Sequence, residues 1–262
     1  FKIQMTQTKK YVKTLNLNSG FVSDFDIRIS DLGLKKGGLG IKKEAVDKRI
    51  GLFGGTFNPI HLGHLRGAEE IWQAFQLEEV IFIPSSIPPH KVTEKVMEAK
   101  HRLEMVKLAT SSNPHFSTSD LELSRPGRSF SVDTIRFFRE RHQDTFFFIL
   151  GGDAFVEIET WKDFQNLFSL CHLIVMARPG SQKNISSSLF PETLIRDFRY
   201  DPGERAWVHL SGHRVYFKEI SFLDISSTKV RELIQKGETV RYLIPAEVEA
   251  YIQKHGLYRK NP

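Results

Sequence analysis

One stretch constrains this chain more than any other: a short apolar run that ends in paired glycines and passes directly into a helical pattern. It is RIGLFGGTFNPIHLGHL, residues 49–65, with Ile50, Leu52 and Phe53 of strand type, then Gly54 and Gly55, then Thr56, Phe57, Asn58 and Pro59. A strand entering a helix through glycines brings backbone close to a ligand, because glycine lacks a Cβ and tolerates positive φ. The following helix start presents unpaired N–H groups and a partial positive charge. The junction is therefore suited to an anion such as phosphate. His61 and His64 are three apart, so on a first helical turn they share a face. Each offers ring N–H donors near a protonation threshold at neutral pH. The plainer reading is a glycine turn with two incidental surface histidines.

The rest of the chain alternates in type. Residues 49–53 read as a strand and 64–75 as a helix, with Leu65, Ala68, Ile71, Trp72 and Phe75 at helical spacing. VIFIP at 80–84 is a second strand, and the prolines of SSIPPHK, 85–91, mark a loop. Residues 98–110 form a helix carrying Leu103, Val106 and Leu108, 116–123 a strand, and 131–141 a helix that Ser131 can cap. TFFFIL, 145–150, is a strand ending in Gly151, Gly152 and Asp153. It is followed by a helix at 161–170, a strand at 172–177, a strand at 214–220 and helices at 226–236 and 246–253. Residues 181–204 are polar and carry no period. Apolar, β-branched runs between helices suit parallel strands buried on both faces. The expected fold is α/β, a doubly wound parallel sheet. Ligands of such sheets bind beyond the C-terminal ends of the strands. Gly54–Gly55, the 85–91 loop, Gly152–Asp153 and the 225–231 segment all fall there.

Charge is unevenly placed. The net +6 comes mostly from residues 1–48, where Lys and Arg exceed Asp and Glu ten to five; residues 49–262 hold 27 against 26. The body has no basic stripe interleaved with aromatics, so no nucleic-acid partner is expected. Residues 1–48 show no sustained period and read as a flexible N-terminal extension, with an electrostatic tether to an acidic partner as the alternative. The single cysteine, Cys171, sits in the apolar run LCHLIVMA and reads as a small buried hydrophobe. One cysteine allows no intrachain disulfide, which fits a reducing cytoplasm. No apolar run approaches the ~20 residues of a membrane span, and no membrane association is expected.

GGTFNPIHLGH resembles the (H/T)xGH signature of the nucleotidyltransferase superfamily. In its longer form, GG(T/S)F(D/N)PxHxGH, it is most like that of the bacterial nicotinate mononucleotide adenylyltransferases. Three further stretches strengthen the likeness. ISSTKVR, 225–231, resembles the family's ISSTxxR string; taken alone, it is also an ordinary helix cap followed by a solvated arginine. RPGRSFSVDTI, 125–135, resembles its SYTxxTL segment, with Ser131 where Thr is usual. PPHK at 88–91 matches as well, and the likeness covers residues 49–262.

The resemblance implies a Rossmann-like nucleotidyltransferase fold over 49–262. It also implies transfer of the adenylyl group of ATP to nicotinate mononucleotide, giving deamido-NAD and pyrophosphate, with Mg²⁺ accompanying ATP and no dedicated metal ligands. His61, His64 and Arg231 would be catalytic. Gly54, Gly55, Thr56, Phe57, Gly152, Asp153, Ile225, Ser226 and Ser227 would join them around ATP. Lys91, Ser131, Thr134, Trp161 and Arg178 would receive the acceptor: Trp161 stacking on the pyridine ring, the Thr134 region taking its carboxylate, Lys91 and Arg178 meeting phosphate. Trp161 as a plain core aromatic is the competing reading. A different acceptor, such as phosphopantetheine, and a catalytically silent nucleotide-binding module are the competing functions. Homo-oligomer formation is left open.

Overall fold

The computed structural model describes residues 47–86, 96–125, 127–177, 190 and 193–259. Lys91, Arg178, the PPHK stretch and residues 1–46 lie outside the described residues. The central strand is β1 (Arg49–Gly55), paired in parallel with β2 (Glu79–Pro84) on one side and β4 (Thr145–Gly151) on the other. Beyond β2 lies β3 (Phe116–Thr118); beyond β4 lie β5 (His172–Ala177) and β8 (Arg214–Glu219), all parallel. The sheet is closed at that end by two strands that sequence reading missed, β7 (Ala206–His209) and β6 (Phe198–Asp201), giving the order β3-β2-β1-β4-β5-β8-β7-β6. β6 and β7 are antiparallel, so the expectation of an all-parallel sheet holds for six strands of eight. Their turn is set by Asp201, whose Oδ1 accepts the N–H groups of Gly203 and Glu204 at 3.0 and 3.3 Å.

Alternating side chains along each buried strand feed two cores. Phe53, Phe147 and Ile149 point to the layer holding α1 (Leu62–Phe75), α2 (Ala99–Thr110), α6 (Ser227–Lys236) and α7 (Ala246–His255). Leu52, Phe148 and Leu150 point to the opposite layer, with α3 (Ser131–Arg141) and α5 (Phe164–Leu170). This two-sided burial is what keeps the strands apolar throughout. Cys171 belongs to the second core, and burial pushes its thiol up to about 12. No helix among the described residues is long and apolar enough to cross a membrane.

Several boundaries differ from expectation. β3 stops at Thr118, because Asp120 starts a turn whose carbonyl accepts the N–H groups of Leu123 and Ser124. The helix expected from Trp161 begins at Phe164, behind Asp163 in a left-handed conformation (φ 53°). The buried face of α2 is Arg102, Met105, Val106 and Ala109, a clean i, i+3, i+4, i+7 stripe, while Leu103 and Leu108 are half-buried.

Candidate active site

The chain runs outward in both directions from β1 and β4, so their C-terminal ends form the switch point of the sheet. Just past Gly54, Gly55 and Gly151 a cavity of ≈ 280 Å³ opens. Thr56, Ser129, Ser131 and Trp161 line it, with Phe148 and Leu150 as apolar floor. Two of these glycines are tightly placed: a Cβ on Gly55 would lie 2.8 Å from the Phe57 ring, and one on Gly54 3.3 Å from Phe148. Trp161 meets Phe148 edge-on, with centroids 6.3 Å apart, and turns its indole to the cavity as well as to the core. The N-terminus of α3 opens here; Phe130 holds the N-cap position with no side-chain hydrogen bond, and Ser131 is the first helical residue rather than the expected cap.

Thr134 is not on this wall. It is buried, 1% exposed, and its hydroxyl donates to Glu122 Oε1 at 2.7 Å. Glu122, which sequence reading passed over, lines the cavity itself. Burial raises its carboxyl pKa, against hydrogen bonds from Thr134 and Ser129 that favour the charged form. Nothing in the alternation of LEL at 121–123 marks that glutamate as buried.

On the other flank of the same loop, His61 caps α1 and His64 is its third residue. Their rings stack at 3.6 Å between centroids. The His61 backbone N–H donates to His64 Nδ1 at 3.2 Å, which leaves the His64 ring proton on Nε2. Burial lowers the His61 pKa to about 4, and burial together with His61 lowers that of His64 well below the usual value. Both imidazoles are thus neutral at pH 7 in the free protein, a correction to the expectation that they stand near their protonation threshold. A bound polyphosphate would act in the opposite direction.

Gly63 makes this pair possible: a Cβ there would sit 3.1 Å from His61 Nδ1. Gly63→Ala should displace the His61 ring by a few tenths of an ångström and lower kcat/KM about 10-fold or more. Steady-state kinetics checks it; an unchanged kcat/KM would show that the ring's place is not critical.

His172, stacked on Phe147 with Nδ1 accepting the Arg214 N–H at 3.0 Å, is also lowered by burial to about 4. In the unfolded chain these histidines titrate near 6.5. Between the two values the unfolded state binds more protons, so stability is full above pH 6.5 and falls as pH drops toward 4. The Tm should decline between pH 6.5 and about 5, above the range of ordinary carboxylates. A flat Tm from pH 7.5 to 5 would contradict this.

The third element is α6. Ser226 caps it, its Oγ accepting the Lys229 N–H at 3.1 Å. Ser227 Oγ instead donates to the Pro59 carbonyl at 2.8 Å. Arg231 donates from Nη1 to the Asn58 carbonyl at 2.9 Å and from Nη2 to Thr228 Oγ1 at 3.3 Å. Asn58 is held from two more sides, its Oδ1 accepting the Tyr258 hydroxyl at 2.9 Å and the Met97 N–H at 3.2 Å. Two helix N-termini, those of α1 and α6, therefore meet on residues 58–61. Ile225 packs half-buried against the first core. Gly152 and Asp153 begin α4 (Gly152–Val156) directly after β4, with Asp153 exposed in its first turn. Among the described residues no group of three or more His, Cys, Asp or Glu side chains could hold a metal ion.

The model of the cytidylyltransferase-like family matches residues 52–233. The probable nicotinate-nucleotide adenylyltransferase of Citrifermentans bemidjiense is 45% identical over 211 residues, covering 80% of this chain and 98% of its own. That of Pelobacter propionicus is 43% identical over 215 residues, covering 82% and 100%. The chain belongs to the nicotinate-nucleotide adenylyltransferase family. A solved structure of Plasmodium falciparum nicotinic acid mononucleotide adenylyltransferase complexed with NaAD matches at TM-score 0.61 and 21% identity, over 80% of this chain and 97% of that one. At that identity the likeness speaks for the fold, a Rossmann-like nucleotidyltransferase fold. Nicotinate-nucleotide adenylyltransferases are ATP-using nucleotidyltransferases, so the expectation drawn from GGTFNPIHLGH and ISSTKVR is borne out for family, fold and class of enzyme.

Proposed function

We propose that this chain transfers the adenylyl group of ATP to nicotinate mononucleotide, giving deamido-NAD and pyrophosphate. The observation that carries the reading is the position of one loop. Residues 54–64 have the apolar, tryptophan-lined cavity on one side and the stacked histidines with two helix N-termini on the other.

The acceptor's 5′-phosphate attacks the α-phosphorus of ATP in line. A new P–O bond forms there as the bond to the bridging oxygen breaks and pyrophosphate departs. The nucleophile is already an anion, so positioning and charge neutralisation suffice. His61, His64 and the backbone N–H groups around Gly55 and Thr56 hold the ATP phosphates, and Arg231 meets the departing pyrophosphate. Trp161 stacks on the cationic ring. The α3 N-terminus at Ser131 receives its carboxylate, and Thr134 contributes through Glu122. Lys91 and Arg178 contact the acceptor's phosphate. Mg²⁺ would enter with ATP and offset the charge of its phosphates, with no cluster of protein ligands among the described residues to hold it. Asp153 serves a ribose hydroxyl or that ion's water shell. Residues 49–262 constitute the transferase domain, residues 1–48 lie outside it, and the enzyme works in the cytoplasm.

The test is pyrophosphate release with MgATP and, in parallel, nicotinate mononucleotide, nicotinamide mononucleotide or phosphopantetheine. Turnover with nicotinate mononucleotide supports the reading. Turnover only with another acceptor would overturn the assignment of the cavity, and none with any acceptor would overturn the enzymatic reading.

A further inference from the structure

The largest fully buried side chain among the described residues is a cation, Arg102, 1% exposed on the apolar face of α2. A guanidinium in a core is costly unless its donors are used. Here the fork reaches three backbone carbonyls from three segments of chain. Nε donates to Met97 O at 2.8 Å, Nη1 to Thr56 O at 2.7 Å and Nη2 to Ser86 O at 2.8 Å. Thr56 directly follows the glycine pair, while Ser86 follows β2 on the acceptor side.

Two of these residues are gripped a second time. The Ser86 N–H donates to Ser129 Oγ at 2.9 Å, and Ser129 lines the cavity and bonds Glu122. The Met97 N–H donates to Asn58 Oδ1, and the Asn58 carbonyl accepts Arg231. The chain of bonds thus runs from the nucleotide side, Arg231 and Asn58, through Met97, Arg102 and Ser86, to Ser129 and Glu122 on the acceptor side. A flexible lysine point charge cannot span three carbonyls set in a planar fork, and an apolar residue would fill the core without linking the loops.

We infer that Arg102 is a positioning residue for the transfer, tying the loop after β1 to the loop after β2 and so fixing the distance between nucleotide and acceptor. This rests on the reading above. In-line displacement is sensitive to such spacing, since a misplacement of about 1 Å costs on the order of 10²-fold in rate.

The experiment compares Arg102→Lys, Arg102→Met and Ser129→Ala with wild type in kcat, both KM values, Kd for ATP alone and Tm. Arg102→Met should lose about 10²-fold in kcat while its Kd for ATP changes much less, and Arg102→Lys should fall between it and wild type. A folded Arg102→Met enzyme with wild-type kcat, assayed well below its own Tm, would overturn the inference and leave Arg102 a packing residue. Ser129→Ala, which frees Ser86 on the acceptor side only, should raise KM for the acceptor and not for ATP. Should the Arg102 variants fail to fold, an unchanged acceptor KM in Ser129→Ala overturns the inference by itself. Each wild-type acceptor is measured first, so an error in the acceptor shows in wild type and an error in the present inference only in the variants.

Discussion

Replacing His64 with alanine should lower kcat by about 10²–10³-fold, the scale of one preorganised donor lost from a transition state. Preorganisation is visible on every side of the ring. His61 stacks on one face, and Phe57 and Phe53 approach at 5.2 and 6.2 Å between centroids. The His61 backbone N–H occupies Nδ1. Tautomer and ring position are thereby fixed, and the one ring proton sits on Nε2. Because burial keeps the imidazole neutral in the free protein, it need not shed a tightly held hydration shell when phosphate arrives. Turnover at saturating MgATP and acceptor measures the effect directly. A kcat within about threefold of wild type would remove His64 from the reaction, since lost donors of this kind cost far more.

Arg231→Ala should be nearly as damaging, lowering kcat/KM for ATP by about 10²-fold, and it should also destabilise the fold. The second effect follows from the Asn58 carbonyl: Asn58 is buried, and its carbonyl accepts Arg231 Nη1. A buried acceptor left without its charged donor costs about 1–3 kcal/mol. Arg231→Lys should not restore activity, because a point charge cannot reproduce the fork that faces Asn58 and Thr228 together. Kinetics and thermal unfolding must be read side by side. A lowered Tm with intact kcat/KM would reduce Arg231 to a strut for the 58–61 loop.

The parts legible in the sequence were those governed by local rules. Period and apolar runs located β1, β2, β4 and β5, and the glycines at 54–55 and 151–152 marked the two strand ends that open the site. The serine pair Ser226–Ser227 announced its helix by offering a capping residue before a helical period. The remainder depended on contacts remote in sequence. The β6–β7 hairpin is short and polar on one side, and only Asp201–Pro202–Gly203 signals its turn. Thr134 was drawn toward the acceptor by its motif, but the direction of its hydroxyl is decided by Glu122, twelve residues earlier. Arg102 did leave a trace, a charged residue in the i, i+3, i+4, i+7 stripe of α2, but its three carbonyl partners lie in loops that no period describes. The histidines were legible as a pair, and their neutrality was not, because it comes from burial.

Cys171 has a practical consequence. It is the only thiol in the chain, sealed at the start of β5 with its Sγ directed to the Leu167 carbonyl at 3.9 Å. A group so enclosed and so reluctant to ionise is inert toward alkylating reagents until the second core parts around it. The protein therefore carries its own clock for breathing motions. The rate at which a thiol probe is taken up reports how often that layer opens, with no label near the histidines, and any slowing by MgATP would measure how far nucleotide binding stiffens a core on the opposite face of the sheet from α1.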